Sequence, residues 1–145
     1  MSEADRTPPS AAGHLEPYGA RVTLRPGARE LDVRRFVTSL VEDLAASCLA
    51  SGASVIGHVK CLLRARDGVL TCNLTSVRLG VSLGGLSGLP VVAGVQPDDE
   101  AELEMAVLVY DLPAGAIDSL LAEALMRLLD PLQVSWSKQA YFDRR

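Results

Sequence analysis

Residues 55–77 carry two apolar-rich runs on either side of Asp67-Gly68. An Asp-Gly pair between such runs is a strong β-hairpin signal, because both residues tolerate the positive φ angles of a two-residue turn. With Asp67 and Gly68 as the loop, the register places Thr75 opposite Lys60. We therefore expect two antiparallel strands here, around which the rest of the chain is arranged.

Side chains alternate between the two faces of a strand, so this register sorts the hairpin into two sets. The set expected to face the core is apolar: Val59, Cys61, Leu63, Leu70, Cys72 and Leu74. The set expected on the opposite, outer face is mixed: His58, Lys60, Leu62, Arg64, Thr71, Asn73, Thr75 and Val77. The outer set is where we expect a functional surface.

Two helices are predicted by apolar residues that recur every three or four positions. They span residues 30–51, with Gly52 as a C-cap, and residues 113–130, with Pro113 at the first helical position. Alternation at 101–111 predicts a third strong strand, with Leu108 and Tyr110 on its outer face, and residues 20–25 predict a short edge strand. The glycine-rich residues 80–99 are expected to be a flexible connection or, less favourably, a ligand loop.

These elements predict an α+β domain at residues 19–130, built as a two-layer sandwich. Its mainly antiparallel sheet of three to five strands would carry two helices on one face. Residues 1–18 are expected to be a disordered N-terminal tail, because they offer little to bury. Residues 131–145 form an aromatic C-terminal tail with Trp136, Tyr141 and Phe142, which is expected to dock on the domain or on a partner.

The composition narrows the class of partner. The 145 residues carry a net charge of −4, which argues against nucleic acid, since phosphate binding needs a basic surface. No apolar run approaches the roughly 20 residues that span a bilayer, and the acidic, proline-containing start does not resemble a signal peptide. A cytoplasmic protein without membrane contact is expected. Its three cysteines are then expected to be buried thiols, with Cys61 and Cys72 as diagonal neighbours too far apart for an easy disulfide.

No catalytic residue, metal ligand or cofactor is predicted. The histidines are His14, in the tail, and His58, which would face away from Cys61 and Cys72, so cysteine–histidine catalysis is disfavoured. Zinc would need paired ligands at motif spacing, and the acids at 98–104 lack a calcium-loop pattern.

Functional candidates instead lie on the outer face, whose apolar members exceed what a solvated sheet needs. They are expected to contact a second copy or another protein, or an anion near His58 and Lys60. These residues are His58, Lys60, Leu62, Arg64, Asn73, Thr75, Leu108 and Tyr110. An exposed sheet in a monomer is the alternative.

Gly57-His58-x-Lys60 and the run Asn73-Leu74-Thr75-Ser76, after an amphipathic helix, resemble an accessory domain found with CobW-like GTPases, over about residues 30–130. The chain has no GxxxxGK[ST] motif, so the resemblance implies an accessory piece without the nucleotide site. It implies a non-enzymatic assembly domain that self-associates or docks on a GTPase-like metallochaperone. The alternative is a small-molecule-binding or enzymatic domain using His58, Lys60 and residues 80–88.

Overall fold

The structure, a computed structural model, describes residues 15–141 and confirms the α+β class, with two helices on one face of a mainly antiparallel sheet. In chain order the elements are β1 (Tyr18–Arg25), β2 (Leu31–Asp32), α1 (Val33–Ala50), β3 (Val55–Ala65), β4 (Gly68–Leu74), β5 (Val81–Gly84), β6 (Gly94–Val95), β7 (Ala101–Tyr110), α2 (Ala114–Leu129), a 3₁₀ turn (Asp130–Leu132) and β8 (Ser135–Tyr141).

The main sheet has six strands in the order β5-β4-β3-β7-β1-β8, and every neighbouring pair is antiparallel. The units β1-α1-β3 and β7-α2-β8 interleave so that their strands run β8-β1-β7-β3 across the sheet. This is the split βαβ connectivity of ferredoxin-like folds, extended at the β3 side by β4 and β5. A short β2–β6 ladder lies outside the main sheet. The fold alone does not indicate a function.

Both helices bury the apolar stripes predicted for them. Asp32 begins α1 as its N-cap, and its carboxylate accepts the backbone N–H of Arg35 at 3.1 Å. α1 packs over β3, β4 and β5, whereas α2 packs over β1 and β8. The core lies between this helical layer and the inner face of the sheet; its fully buried large residues are Leu24, Leu40, Leu44, Leu63, Leu70, Leu74, Leu103, Ile117, Leu121, Leu125 and Leu129.

The predicted hairpin is present, but its predicted register is wrong by two residues. Ala65 pairs with Gly68, so the loop is Arg66-Asp67, and Lys60 lies opposite Asn73. A shift of two leaves every side chain on its predicted face, because the pattern has period two. Thr75 lies beyond the end of β4, so it does not pair with Lys60.

A distant contact fixes Gly68 in the strand. A Cβ on Gly68 would lie 2.3 Å from the carbonyl oxygen of Pro90, and the φ angle of Gly68 is +154°. The N–H of Val69 donates to that same oxygen at 3.0 Å. Residues 90–92 therefore lie against the start of β4. Turn preferences describe only neighbouring residues, so they could not predict this contact.

Strand β1 is not the edge strand that its sequence predicts, because β8 pairs along its free side. Residues 135–141, within the segment predicted as a C-terminal tail, thus dock on their own domain and raise the strand count to six. Trp136 packs against the core, and its indole N–H donates to Asp130 at 3.3 Å. Phe142 lies outside the described residues.

The N-terminal segment enters the fold earlier than predicted. Residues 1–14 of the predicted tail lie outside the described part of the chain, but residues 15–18 are ordered against the domain. Leu15 forms a bridge to Tyr110. The carboxylate of Glu16 accepts the N–H of Ala114 at 2.8 Å, so it caps α2, for which Pro113 provides no side-chain acceptor.

A partly buried polar cluster joins β1, α2 and β8. The hydroxyl of Tyr18 donates to Asp118 Oδ1 at 2.6 Å, and Lys138 Nζ donates to the same oxygen at 2.5 Å. Burial, and then the bond to Asp118, raise the pKa of the Tyr18 hydroxyl well above its usual range. The cluster ties the edge strand β8 to the helical layer.

None of the helices between residues 15 and 141 is long and apolar enough to cross a membrane.

Candidate functional site

The outer face is the surface of the sheet opposite the two helices, and it brings most of the predicted site residues together. His58 lies opposite Leu108, and Lys60 lies opposite Asn73 on one side and Ala106 on the other. Of the predicted site residues, those that β3, β4 and β7 place on this face are His58, Lys60, Leu62, Arg64, Asn73, Leu108 and Tyr110. Thr75 is the exception, because β4 ends before it.

One part of the outer face is a network of ion pairs. Arg21 lies 3.3 Å from Glu102 and 3.5 Å from Glu104, and Arg64 lies 3.6 Å from Glu104. All four side chains are more than a third exposed, so each pair contributes about 0–1 kcal/mol to stability. The network therefore adds little to the stability of the fold, and its main effect is to place alternating positive and negative charges on this face.

A β-bulge near the start of β3 turns His58 onto the outer face. The register shifts between Ile56 and His58, which leaves Gly57 as the extra residue. A Cβ on Gly57 would lie 2.8 Å from the carbonyl oxygen of Leu108, so the backbone of β7 approaches this glycine too closely for a larger residue. Partial burial, and then the charge of Lys60, lower the pKa of His58. The imidazole is therefore neutral at neutral pH.

An open depression of about 420 Å³ lies on the outer face around Lys60 and Leu62. Its lining includes Lys60, Leu62, Asn73 and Glu104, together with Leu86 from the glycine-rich loop. Lys60 and Leu86 of the glycine-rich loop therefore line the same depression, as expected for the alternative small-molecule-binding function. His58, the third element of that alternative, is not among the lining residues. The buried side-chain oxygen Oδ1 of Asn73 has no hydrogen-bond partner among residues 15–141, so a donor could be accommodated there.

An apolar segment, residues 77–91, lies beside the outer face and was not predicted as a surface patch. Val77 was expected on the outer face, and the residues from 80 on were expected to form a flexible connection or a ligand loop. Half of the exposed large hydrophobic residues in the described chain fall in this segment: Val77, Leu79, Leu83, Leu86, Leu89 and Val91. Leu79 is 69% exposed and Leu89 is 51% exposed. A signal was available in the sequence, since residues 79–97 contain no charged side chain. In other proteins, large exposed apolar patches are typical of interaction surfaces.

A smaller cavity of about 260 Å³ was also missed; it lies where α1 begins and α2 ends. Phe36 and Leu128 contribute to its apolar lining, and Arg35 and Asp32 lie at the helix start beside it. Sequence periodicity cannot reveal this cavity, because it forms between helices that are about 80 residues apart.

The sheet separates the groups that could perform nucleophilic chemistry. His58 lies on the outer face, whereas Cys61 and Cys72 are buried on the inner face, as their alternation predicts. Burial raises the pKa of the third thiol, Cys48, to about 11, so this thiol is protonated at neutral pH. Within residues 15–141, no three His, Cys, Asp or Glu side chains are grouped so that they could hold a metal ion.

No family model matches this chain, and no curated protein or solved structure matches it either.

Proposed function

We propose that this protein is a non-enzymatic assembly domain that self-associates, or docks on a protein partner, through its outer face. One observation carries the proposal: both helices pack on the inner face, while apolar and charged side chains share the face they leave open. Leu62, Leu108 and Tyr110 are half-buried there beside the ion pairs of Arg21 and Arg64.

The composition of this face suits protein contact. Interfaces combine an apolar centre with a polar rim and are enriched in aromatic residues and arginine. Here Leu62 and Leu108 would supply the apolar centre, while Arg21 and its glutamate partners would supply the rim. The guanidinium of Arg21 also lies 5.7 Å from the centre of the Tyr141 ring, which extends the same character toward β8.

The apolar segment 77–91 enlarges this surface. Leu86 lines the depression that also contains Lys60 and Leu62, so the segment and the outer face are continuous. A partner that covers both would bury the exposed leucines of the segment, and each fully buried leucine would contribute about 1.5–3 kcal/mol before the entropic cost of association.

The partner class comes from the sequence resemblance alone. A GTPase-like metallochaperone would supply the nucleotide chemistry for which this chain has no P-loop motif. A second copy of this chain needs no such assumption, and it is therefore the partner to test first.

The depression supports a second candidate function, the binding of a small molecule. Lys60 provides a positive charge and Asn73 a side-chain oxygen free to accept, next to the apolar side chain of Leu86. Such a ligand would carry an anionic group and a hydrogen-bond donor. Its test is the loss of binding in Lys60→Ala, measured by calorimetry against a panel of small anions.

Light scattering on the purified protein tests the assembly proposal. The double substitution Leu62→Asp and Leu108→Asp places two charges at the centre of the outer face. The matched control is Met126→Asp, because Met126 is an exposed apolar residue of the helical layer, 47% accessible. Circular dichroism verifies that each variant is folded. Leu86→Asp is a second test variant, because Leu86 is exposed in the apolar segment and lines the depression.

We expect a wild-type dimer that the Met126→Asp control preserves. The Leu62→Asp/Leu108→Asp double variant and Leu86→Asp should each convert it to folded monomer. A dimer that survives both the Leu62→Asp/Leu108→Asp double variant and Leu86→Asp would place the interface elsewhere. A wild-type monomer at every concentration would refute self-association and would give priority to the anion-binding test.

A further inference from the structure

Cys61 and Cys72 are direct cross-strand partners on β3 and β4. The expected diagonal placement of these cysteines is wrong, since the two-residue change in register moves them opposite each other. Both side chains point to the inner face and are buried, with 5% and 2% of their surface accessible. Two thiols on one face at paired positions are a candidate site of oxidation.

The hydrogen bonds of Val69 identify the type of pair that the cysteines form. Its N–H donates to Pro90 and its carbonyl accepts from Val92, so both groups point away from β3. Because the direction alternates along an antiparallel strand, Leu70 and Cys72 point their backbone groups toward β3. Residues in such a hydrogen-bonded pair have Cα atoms about 5.5 Å apart. Disulfides span Cα separations of about 4.4–6.8 Å, so the two backbones are close enough to be joined. The Cβ atoms of a hydrogen-bonded pair lie further apart than those of a relaxed disulfide, so the bond would be strained and easily reduced.

The two thiols also differ in acidity. They are within hydrogen-bonding reach, and donation from Cys61 to Cys72 raises the pKa of Cys61 and lowers that of Cys72. Because the thiolate is the nucleophile, this difference favours Cys72 as the thiol that reacts first and Cys61 as the one that resolves.

Edge strand β5 is all that separates β4, and with it Cys72, from the edge of the sheet. β5 has only four residues, and Leu83, the residue of β5 that pairs with Cys72, is 37% exposed. A short strand at the edge of a sheet opens locally at a much lower free energy than the whole domain. Such opening would remove the strand beside Cys72 and expose that side of its thiol, while the longer β3–β7 ladder would keep Cys61 in place.

We propose that Cys61 and Cys72 form a reversible intramolecular disulfide with a low-molecular-weight disulfide as the oxidant. The Cys72 thiolate attacks one sulfur of the oxidant, forms a mixed disulfide and releases one small thiolate. The deprotonated Cys61 then attacks the Cys72 sulfur and releases the second small thiolate. Two protein thiols and one small disulfide thus become one protein disulfide and two small thiols. This inference is independent of the proposed assembly function.

The test is oxidation of the folded, full-length protein with oxidised glutathione, followed by acid quenching, alkylation and mass spectrometry. Trypsin can cut after Arg64 and Arg66, between the two cysteines, so the disulfide would link two separate peptides. Cys48→Ser is the matched control, because Cys48 is also buried but lies on α1. Cys61→Ser removes the resolving thiol.

We expect wild type to lose two of its three free thiols and to give the linked peptide pair, and Cys48→Ser to do the same. Cys61→Ser should instead retain glutathione on Cys72. Oxidation that joins Cys48 to either partner would overturn the proposal. So would a folded protein that keeps all three thiols under conditions that oxidise the urea-unfolded chain, because the native geometry would then prevent the bond.

Discussion

We predict that the hydrogen bonds among Tyr18, Asp118 and Lys138 stabilise β8, the C-terminal strand of the sheet. One carboxylate oxygen of Asp118 accepts hydrogen bonds from both Tyr18 and Lys138, and Asp118 thereby connects α2 to β1 and to β8. Asp118→Ala removes both bonds at once. Tyr18→Phe and Lys138→Met each remove only one.

The magnitude follows from the burial of the partners. The side chains of Lys138 and Asp118 are 15% and 24% exposed, so solvent screens their interaction only in part. Hydrogen bonds to a charged group contribute about 1.5–3 kcal/mol each, and the lower end suits a partly exposed site. We therefore expect Asp118→Ala to lower the free energy of unfolding by about 3 kcal/mol, and Tyr18→Phe to lower it by about 1.5 kcal/mol.

Urea denaturation monitored by tryptophan fluorescence is a suitable assay. The chain has a single tryptophan, Trp136, which lies on β8 itself and therefore reports on the strand that the cluster holds. The control is Asp43→Ala, because Asp43 forms an ion pair with Arg127 that is about half exposed on both sides. Removing such a pair changes stability by about 0–1 kcal/mol.

The reasoning is refuted if Asp118→Ala costs no more than the Asp43 control. A pH series adds a second check. Since the pKa of Tyr18 is raised in the folded state, the unfolded chain loses this proton first, at about pH 10. The stability that depends on the protonated hydroxyl is therefore complete below about pH 10 and declines as the pH rises further. Tyr18→Phe should remove that alkaline decline.

Three other local features have consequences that denaturation or NMR can measure. Asp32→Ala removes the N-cap of α1 and should cost about 1 kcal/mol in a urea titration; no change would mean that water replaces the cap. Gly68→Ala should destabilise by at least about 1 kcal/mol, since its Cβ would lie 2.3 Å from a backbone carbonyl, whereas Gly115→Ala, with no atom within 4 Å, should not. Burial and then Lys60 lower the pKa of His58, so wild type should lose stability as the pH falls below about 6.5. Lys60→Gln should raise that pKa in an imidazole NMR titration, and an unchanged titration would contradict the assignment.

Alternation along the chain predicted the faces of the sheet but not its register. The side chains of Cys61 and Cys72 are buried as expected, because a shift of two residues does not change a face. The register depends on the contact of Gly68 with Pro90, which are 22 residues apart. Local turn propensity favoured Asp67-Gly68 as the loop and carried no information about that contact.

The position of each strand in the sheet was equally beyond local patterns. The alternation in β1 resembles that of an edge strand, and only the pairing with β8 makes it an interior one. On its inward side, β8 carries Trp136, Lys138 and Ala140. This mixture of aromatic, charged and small residues lacks the apolar alternation that predicts a strand. Most of the candidate site follows from alternation alone. Thr75 does not, because nothing local indicated that β4 ends at Leu74.

The placement of β1 has a consequence for how the chain folds during synthesis. Both of its neighbours come late: Leu24 pairs with Ala101 on one side and with Trp136 on the other. At about 5–20 residues per second, a ribosome needs on the order of ten seconds to make the intervening chain. During that time β1 presents two free edges, whereas α1 and the β3–β4 hairpin can form from local contacts. We therefore expect closure of β1 between β7 and β8 to be the slow step of folding, as for other sheets that depend on distant pairings. In that interval a strand with one apolar face is available to chaperones or to a neighbouring chain.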